Sequence, residues 1–459
     1  MSKGRDAASP GLIAVLSAVI PGSGQLINRQ LLKGVTCFLV AAGMVLSEVV
    51  SGHYLIGPEG YSAKANGGWI VHGLWGLVTL GTSPRQMTLS GLTQGDHSIA
   101  LLARGLITVF ALILYLCFWG WGVHDAWTTA RTRRAGGQVL GSLAWARQLG
   151  QRSTAYLMVA PSVLLLFFVS VLPIVFGILI AFTNYDRGHN PPADLVSWVG
   201  LENFTKLLAV GQWARTFFGV LAWSVVWALL ATATTYFFGF LQALLVNSKG
   251  VLWPKLWRSI YILPWAVPAM ISALVFRSMF NGQFGPVSAF LVDIGLTEER
   301  VNWFTDPSQP NLARAVALLV NLWLGFPYFM ALISGTLTNI DASLYEAAEL
   351  DGAGSWQVYR HITLPIVYRA TAPLVVMSLV SNFNNFGVIY FLTQGGPSNS
   401  GYTYAGSTDL LITWLYKLTL DNRMYNIGSV MSIVIFIVVG SFSLWNLRRT
   451  NSLEGAERS

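Results

Sequence analysis

Apolar residues fall in eight runs, at 34–50, 103–122, 157–181, 218–244, 259–280, 313–337, 367–392 and 428–447. Each approaches the ~20 residues with which an α-helix crosses a bilayer core. The pattern predicts an all-α integral membrane protein of about eight transmembrane helices. Pro161, Pro173, Pro264, Pro268 and Pro327 fall inside the runs. Each frees a backbone carbonyl and bends its helix. In a bilayer such groups must face protein or a water-filled cavity, so breaks in these spans fit a pathway that opens and closes as well as static packing.

Two spans carry polar stripes. Asn321, Leu324, Gly325 and Tyr328 recur at helical spacing in one, and Ser378, Ser381, Asn382 and Asn385 in the other. Residues three, four and seven apart share a helix face. Asparagine is costly in hydrocarbon, so both faces should point into the bundle or a cavity. The groups are neutral and bear both donors and acceptors, which a sugar hydroxyl requires. The Tyr328 ring offers an apolar face with a hydroxyl handle. Polar side chains also glue transmembrane helices together, and the residues alone leave both uses open.

The polar loop between these spans has helix signals of its own. Ser343-x-x-Glu346 reads as a capping box, Gly352 as a helix stop, Ser355 as a second cap and Pro365 as the second stop. The expected product is a compact helix–Gly–helix knob on the membrane face, suited to docking into a partner.

Composition agrees with a membrane protein: 54% of the 459 residues are hydrophobic and 10% charged, against about 25% charged in soluble domains. The net charge of +8 does not point to nucleic acid, because the cations collect in alternate loops. Arg131, Arg133, Arg134, Arg147 and Arg152 follow the second span, Lys249, Lys255 and Arg258 the fourth, and Arg448, Arg449 and Arg458 the last; Arg360 and Arg369 flank the polar knob. The other loops hold fewer, such as Lys64, Arg85, Arg187, Lys206 and Lys417. The positive-inside rule then places both termini and the knob in the cytoplasm. Cys37 and Cys117 lie within spans and read as packing residues rather than a disulfide or metal pair. No Gly-Lys dipeptide occurs, which excludes a phosphate-binding loop. No cleavable signal peptide is evident. His124 and Asp125 sit at a membrane edge and read as interfacial. No catalytic constellation, metal site or cofactor is expected.

The knob carries the pattern E-A-A-x3-G-x9-I-x-L-P, with Glu346, Ala347, Ala348, Gly352, Ile362, Leu364 and Pro365 at the named positions. This resembles the EAA loop of the membrane subunits of ABC-type importers. The resemblance implies that the loop, residues 341–366, is a coupling helix that fits a cleft on an ATP-binding subunit. The segments Ile262–Pro268, Asn302–Pro307, Trp323–Tyr328, Asn382–Phe386, Leu392–Pro397 and Gly406–Leu411 are similar to the maltose-type permeases of the carbohydrate-uptake family. That likeness runs from about residue 156 to the end. It implies a six-helix type I importer permease core at 156–459, preceded by 1–155. Pro21-Gly22-Ser23-Gly24-Gln25-Leu26, with Gln30 and Lys33-Gly34, resembles the two-helix membrane module called the TM2 domain. Residues 1–155 are accordingly expected to anchor the chain through two spans, an external segment at 51–101 and a basic linker.

By the same resemblance, sugar contacts would come from Asn321, Gly325 and Tyr328 on one helix and Ser378, Asn382 and Asn385 on the other. Ser381 and Gly387 replace bulkier residues of the family, which would make the pocket roomier. The implied partners are a second permease, a dimer of ATP-binding subunits that hydrolyses the ATP, and an extracytoplasmic solute-binding protein, all at a bacterial inner membrane. The implied substrate is maltose or maltodextrin. The alternatives are another neutral oligosaccharide, such as trehalose or a galacto-oligosaccharide, or a non-transporting membrane receptor. A phosphate ester would want a cation on the stripes, and none is there.

Overall fold

The computed structural model describes residues 9–52, 54, 66–88, 91–92, 95–139, 141–142, 144–145, 154–248 and 250–456. Lys64, Arg147, Arg152, Lys249 and Arg458 lie outside them. Among the described residues the regular elements are helices, apart from a two-residue antiparallel ladder that pairs Met87–Thr88 with Gly91–Leu92 and two isolated bridges, Thr183 with Trp198 and Ser398 with Gly406. Among the described residues, seven helices are long and apolar enough to cross a membrane, or eight if one bent pair counts as a span. The chain divides into two compact units, 1–200 and 201–459.

In the first unit, α1 (Pro10–Val19) turns through Gly22 into α2 (Ser23–Ile27) and then α3 (Leu31–Ser51). Gly22 has φ +91°, and a Cβ there would stand 2.1 Å from the Gly34 carbonyl oxygen. The Pro-Gly-Ser-Gly signature is therefore a packing requirement. Its polar residues hold the long helix α5 (Ser98–Arg134), with α4 (Trp69–Thr79) between. Gln25 Nε2 donates to the Gly122 carbonyl at 2.6 Å, and Asn28 Nδ2 to that of Ala126 at 2.9 Å. Lys33, itself buried, forms an ion pair with the half-buried Asp125 at 2.7 Å and lies 5.1 Å from the Trp145 ring centroid. Asp125 is thus a structural partner rather than a loose interfacial residue. Helix α4 was not legible as a span because its eleven residues are too short to cross a bilayer.

The first unit also holds α6 (Thr154–Leu166) and α7 (Leu172–Ile180), joined by a π-helical turn at Phe167–Val171. The turn immediately precedes Leu172-Pro173. Proline lacks an N–H and crowds the carbonyl four residues back, and one wide turn relieves both problems without ending the helix.

The second unit is built around α9 (Gly211–Asn247) and α13 (Pro310–Thr338), the spans with the largest buried share, 50% and 44%. Glycines let them close: a Cβ on Gly325 would lie 2.7 Å from Thr235 Cγ2, and one on Gly239 2.6 Å from Phe329 Cβ. Trp223, Trp227, Val316, Val320 and Ile389 form the core beside them. Helix α8 (Glu202–Ala209) precedes α9. The predicted span at 259–280 is α10 (Pro254–Ala266) and α11 (Ala269–Met279), bent by 88°. The break falls at Val267, whose φ −104° and ψ 129° are the extended values imposed on a residue before proline. After the short helix α12 (Pro286–Asp293) and α13 comes the polar loop, followed by α16 (Leu364–Phe383), α17 (Phe386–Leu392), α18 (Leu411–Tyr416) and α19 (Tyr425–Ala456).

Candidate functional site

The polar loop folds as α14 (Ala342–Leu350) and α15 (Ser355–Val358). Its caps differ from those expected. Asp341, not Ser343, is the first N-cap, and its carboxylate accepts from the Ser343 amide at 2.9 Å. That bond holds the Asp341 carboxyl below the ordinary aspartate range. Two residues earlier than Ser343, Asp341 accepts from the second N–H of the helix, the ordinary reach of an N-cap side chain. Gly352 does stop α14, at φ +74°, with the Ala353 amide returning to the Ala348 carbonyl at 2.9 Å. The second cap is Gly354 rather than Ser355, and Gln357 Oε1 accepts from the Gly354 amide at 2.8 Å.

Pro365 does not end the helix. A π-helical turn at Tyr359–Thr363 carries α15 directly into α16, the same device seen before Pro173. The knob is therefore continuous with the next span, and Tyr345 Oη meets Thr363 Oγ1 at 3.2 Å to brace α14 against it. Glu346 and Ala347 are exposed, Ala348 and Ile362 half-buried. Ala348, Gly352 and Ile362 border a shallow cleft of about 390 Å³. Leu364 and Pro365 lie where the loop enters the span. Leu350 and Trp356 are 89% and 68% exposed, an apolar load that a polar loop does not ordinarily leave in water.

The second candidate site lies between α9, α13 and the α16–α17 break. Asn385 Nδ2 donates to Asn321 Oδ1 at 2.9 Å and makes a longer 3.5 Å contact with Asn382 Oδ1. Asn382 Nδ2 donates to Thr232 Oγ1 at 3.0 Å and reaches Ser378 Oγ at 3.4 Å. Asn385 also caps α17, accepting from the Val388 amide at 3.2 Å. Four of the six expected residues thus form one network of neutral donors and acceptors. Asn321 is 5% exposed, while Ser378, Asn382 and Asn385 are only half-buried and remain accessible.

Gly325 and Tyr328 are not part of that network. Gly325 admits Thr235, as above. Tyr328 lies outside the network, its ring 5.0 Å from that of Phe329 and 6.0 Å from that of Trp265. Thr232 was missed from sequence. A threonine in an apolar helix is inconspicuous because it can bond back to its own preceding turn, as Thr235 does to the Ala231 carbonyl at 2.7 Å.

Residues 235–451 match the family described as binding-protein-dependent transport system inner membrane component. The galactooligosaccharides transport system permease protein GanP of Bacillus subtilis is 35% identical over 444 residues, 96% of this chain and 98% of that protein. The chain belongs to this permease family. The maltodextrin transport system permease protein MdxF of the same organism is 34% identical over 454 residues, 97% of each chain. A chain of a crystallised bacterial ABC transporter that imports alginate superposes with a TM-score of 0.54 at 23% identity, over 67% of this permease and 98% of that chain. That likeness establishes the importer permease fold. The protein is a transport subunit rather than an enzyme, with several membrane spans.

Proposed function

We propose that this permease pairs with a second permease to form the membrane pathway of an ATP-driven importer for maltose or maltodextrin. The observation that carries the reading is the charge-free Asn321–Asn385–Asn382 network, joined by Ser378 and Thr232, between the spans of the second unit. Its half-buried amides can exchange one another for sugar hydroxyls without stranding a charge in a low-dielectric interior. The maltodextrin permease named above supports this substrate class.

The exposed knob at 341–366 would dock into an ATP-binding subunit, one of a pair that hydrolyses ATP. Gly352 gives it a tight turn, and Leu350 and Trp356 give it apolar contact area. An extracytoplasmic binding protein would deliver the sugar on the opposite face. The distribution of cations supports both termini lying in the cytoplasm. Residues 1–155 would anchor the permease core formed by 156–459.

Glu346→Lys should insert into the membrane normally but lose copurification of the ATP-binding subunit and lose uptake. Normal uptake by that variant would refute the docking role. Asn382→Ala should keep the ATP-binding subunit and reduce maltodextrin flux. A second reading, import of galacto-oligosaccharides, is favoured by the 35% identity to a galactooligosaccharide permease. Competition between the two sugar series for uptake by the same cells decides between them.

A further inference from the structure

A cavity of about 590 Å³ opens at the far ends of the spans from the 341–366 knob. It is separate from the asparagine network and lies within the range of small-ligand sites. Its wall is the loop 393–406, and that loop is rigidly built. Gly395 has φ +79°, and a Cβ there would lie 2.2 Å from Asp409 Oδ1. Asp409 is fully buried, binding the Gly406 amide at 2.7 Å, Thr413 Oγ1 at 2.9 Å and Lys417 Nζ at 2.6 Å. Burial pushes the Asp409 carboxyl up, and Lys417 and these hydrogen bonds pull it back. Thr408 ties the loop together, to Thr393 Oγ1 at 2.8 Å and to the Gly396 carbonyl at 2.6 Å. Such a wall does not have to be ordered when a ligand arrives.

The chemistry of the lining is selective. It includes Arg277 and Lys417 and no carboxylate. Asp409 neutralises Lys417. Arg277 donates to Gln394 Oε1 at 2.9 Å, so a guanidinium and a primary amide stand side by side at the rim. Phe280, Phe304 and Tyr404 add aromatic rings. One cation shared with an amide is too little for a phosphate or polyanion, which seeks several strong donors. Adjacent donors and acceptors beside apolar ring faces suit a neutral polyhydroxylated chain.

The cavity and the asparagine network lie at opposite ends of α17. Asn385 caps its start and Thr393 its end, about 12 Å apart at 1.5 Å rise per residue. We infer that this cavity is a second saccharide subsite, holding the trailing units of a neutral oligosaccharide whose leading unit engages Asn321, Asn382 and Asn385. The inference rests on the oligosaccharide-permease reading above. Longer chains engage both sites at once, while a disaccharide uses the inner one alone.

The test uses the complete importer, purified through this chain with its partners and reconstituted in liposomes. Uptake of labelled maltose and of maltoheptaose is compared at subsaturating sugar. Gln394→Ala and Gln394→Glu should each lower maltoheptaose uptake about fivefold to tenfold, the size expected for one lost neutral hydrogen bond. Maltose uptake and sugar-free ATP hydrolysis should not change. Equal losses for both sugars, or no loss for either, overturn the subsite. So does weaker capture of the sugar-free binding protein by Gln394→Ala, which would make the cavity a protein-docking cup. Asn382→Ala separates the two readings, since it should depress uptake of both lengths. If it changes neither, the parent reading fails instead.

Discussion

The Asn321–Asn385 hydrogen bond offers the sharpest physical test of the inner site. Replacing Asn385 by alanine removes the donor at 2.9 Å from Asn321 Oδ1 and the cap on the Val388 amide. Asn321 is almost wholly buried, so its carbonyl cannot turn to water. A lost cap costs ~1 kcal/mol, and an unsatisfied buried acceptor about 1–3 kcal/mol. The single variant should therefore lose roughly 2–4 kcal/mol. Asn321→Ala should lose less, because Asn385 keeps its Asn382 contact and its cap. The informative quantity is the coupling between them. Interhelical hydrogen bonds in membranes average about 0.6 kcal/mol and reach about 1.7 kcal/mol. A double-mutant cycle on the detergent-solubilised complex, followed by unfolding, should return a coupling within that range. Additivity within about 0.3 kcal/mol would show that the two side chains do not share a bond, and the proposed network would lose its central link.

Gly352→Ala should loosen the knob, because its φ of +74° costs a Cβ-bearing residue about 1–2 kcal/mol although no neighbouring atom obstructs the Cβ. Gly352→Asn should be milder, and amide exchange across 342–358 should rank the variants in that order. Lys33→Met should destabilise the first unit by about 1–3 kcal/mol, since it leaves the half-buried Asp125 carboxylate without its partner, and Lys33→Met with Asp125→Leu should recover most of the loss in a thermal melt. The Asp341 carboxyl titrates below its unfolded value, so its cap contributes fully above the ordinary aspartate pKa and is lost as pH falls through the lowered folded one. Asp341→Asn should keep α14 while removing that acid-side dependence, read by amide exchange at several pH values.

Much of this architecture is legible because a bilayer restricts what a chain can do. A span must be long and apolar, so six of the eight predicted runs return as single or π-interrupted helices, and a seventh, 367–392, returns as α16 and α17 with a break at Asn384-Asn385. The eighth is broken, and the break was encoded in Pro268, which denies Val267 the helical conformation. The same dipeptide type gives opposite outcomes elsewhere. Leu172-Pro173 and Leu364-Pro365 each follow a π-helical turn and the helix continues. A proline therefore marks strain in a span, while the geometry around it decides between a bend and a bulge. At 359–363 that distinction has a consequence: the bulge joins α15 to α16 without a break, and the Tyr345–Thr363 contact braces α14 against the same segment.

The asparagines were conspicuous for the reason that makes them useful. Four neutral amides and hydroxyls on two apolar faces are expensive unless they meet partners, and they meet each other. Thr232 left no such mark, since a lone threonine in an apolar helix looks like any residue able to bond back to its own turn, and only the fold sets it 3.0 Å from Asn382 Nδ2. The cavity beside 393–406 was less visible still. Its walls join residues 277–282, 304–305 and 392–406, and it owes its shape to Asp409 reaching across to Gly406 and Lys417. No helical period connects such positions. Yet Gly395 and Gly406 each stand where a Cβ would collide, at 2.2 Å and 2.1 Å. The Gly406 amide ties the loop to Asp409 and its ion pair with Lys417, so substitutions that disturb Asp409 should deform the cavity without touching any residue that faces it. A loop serving only as a connector would have no need of that support.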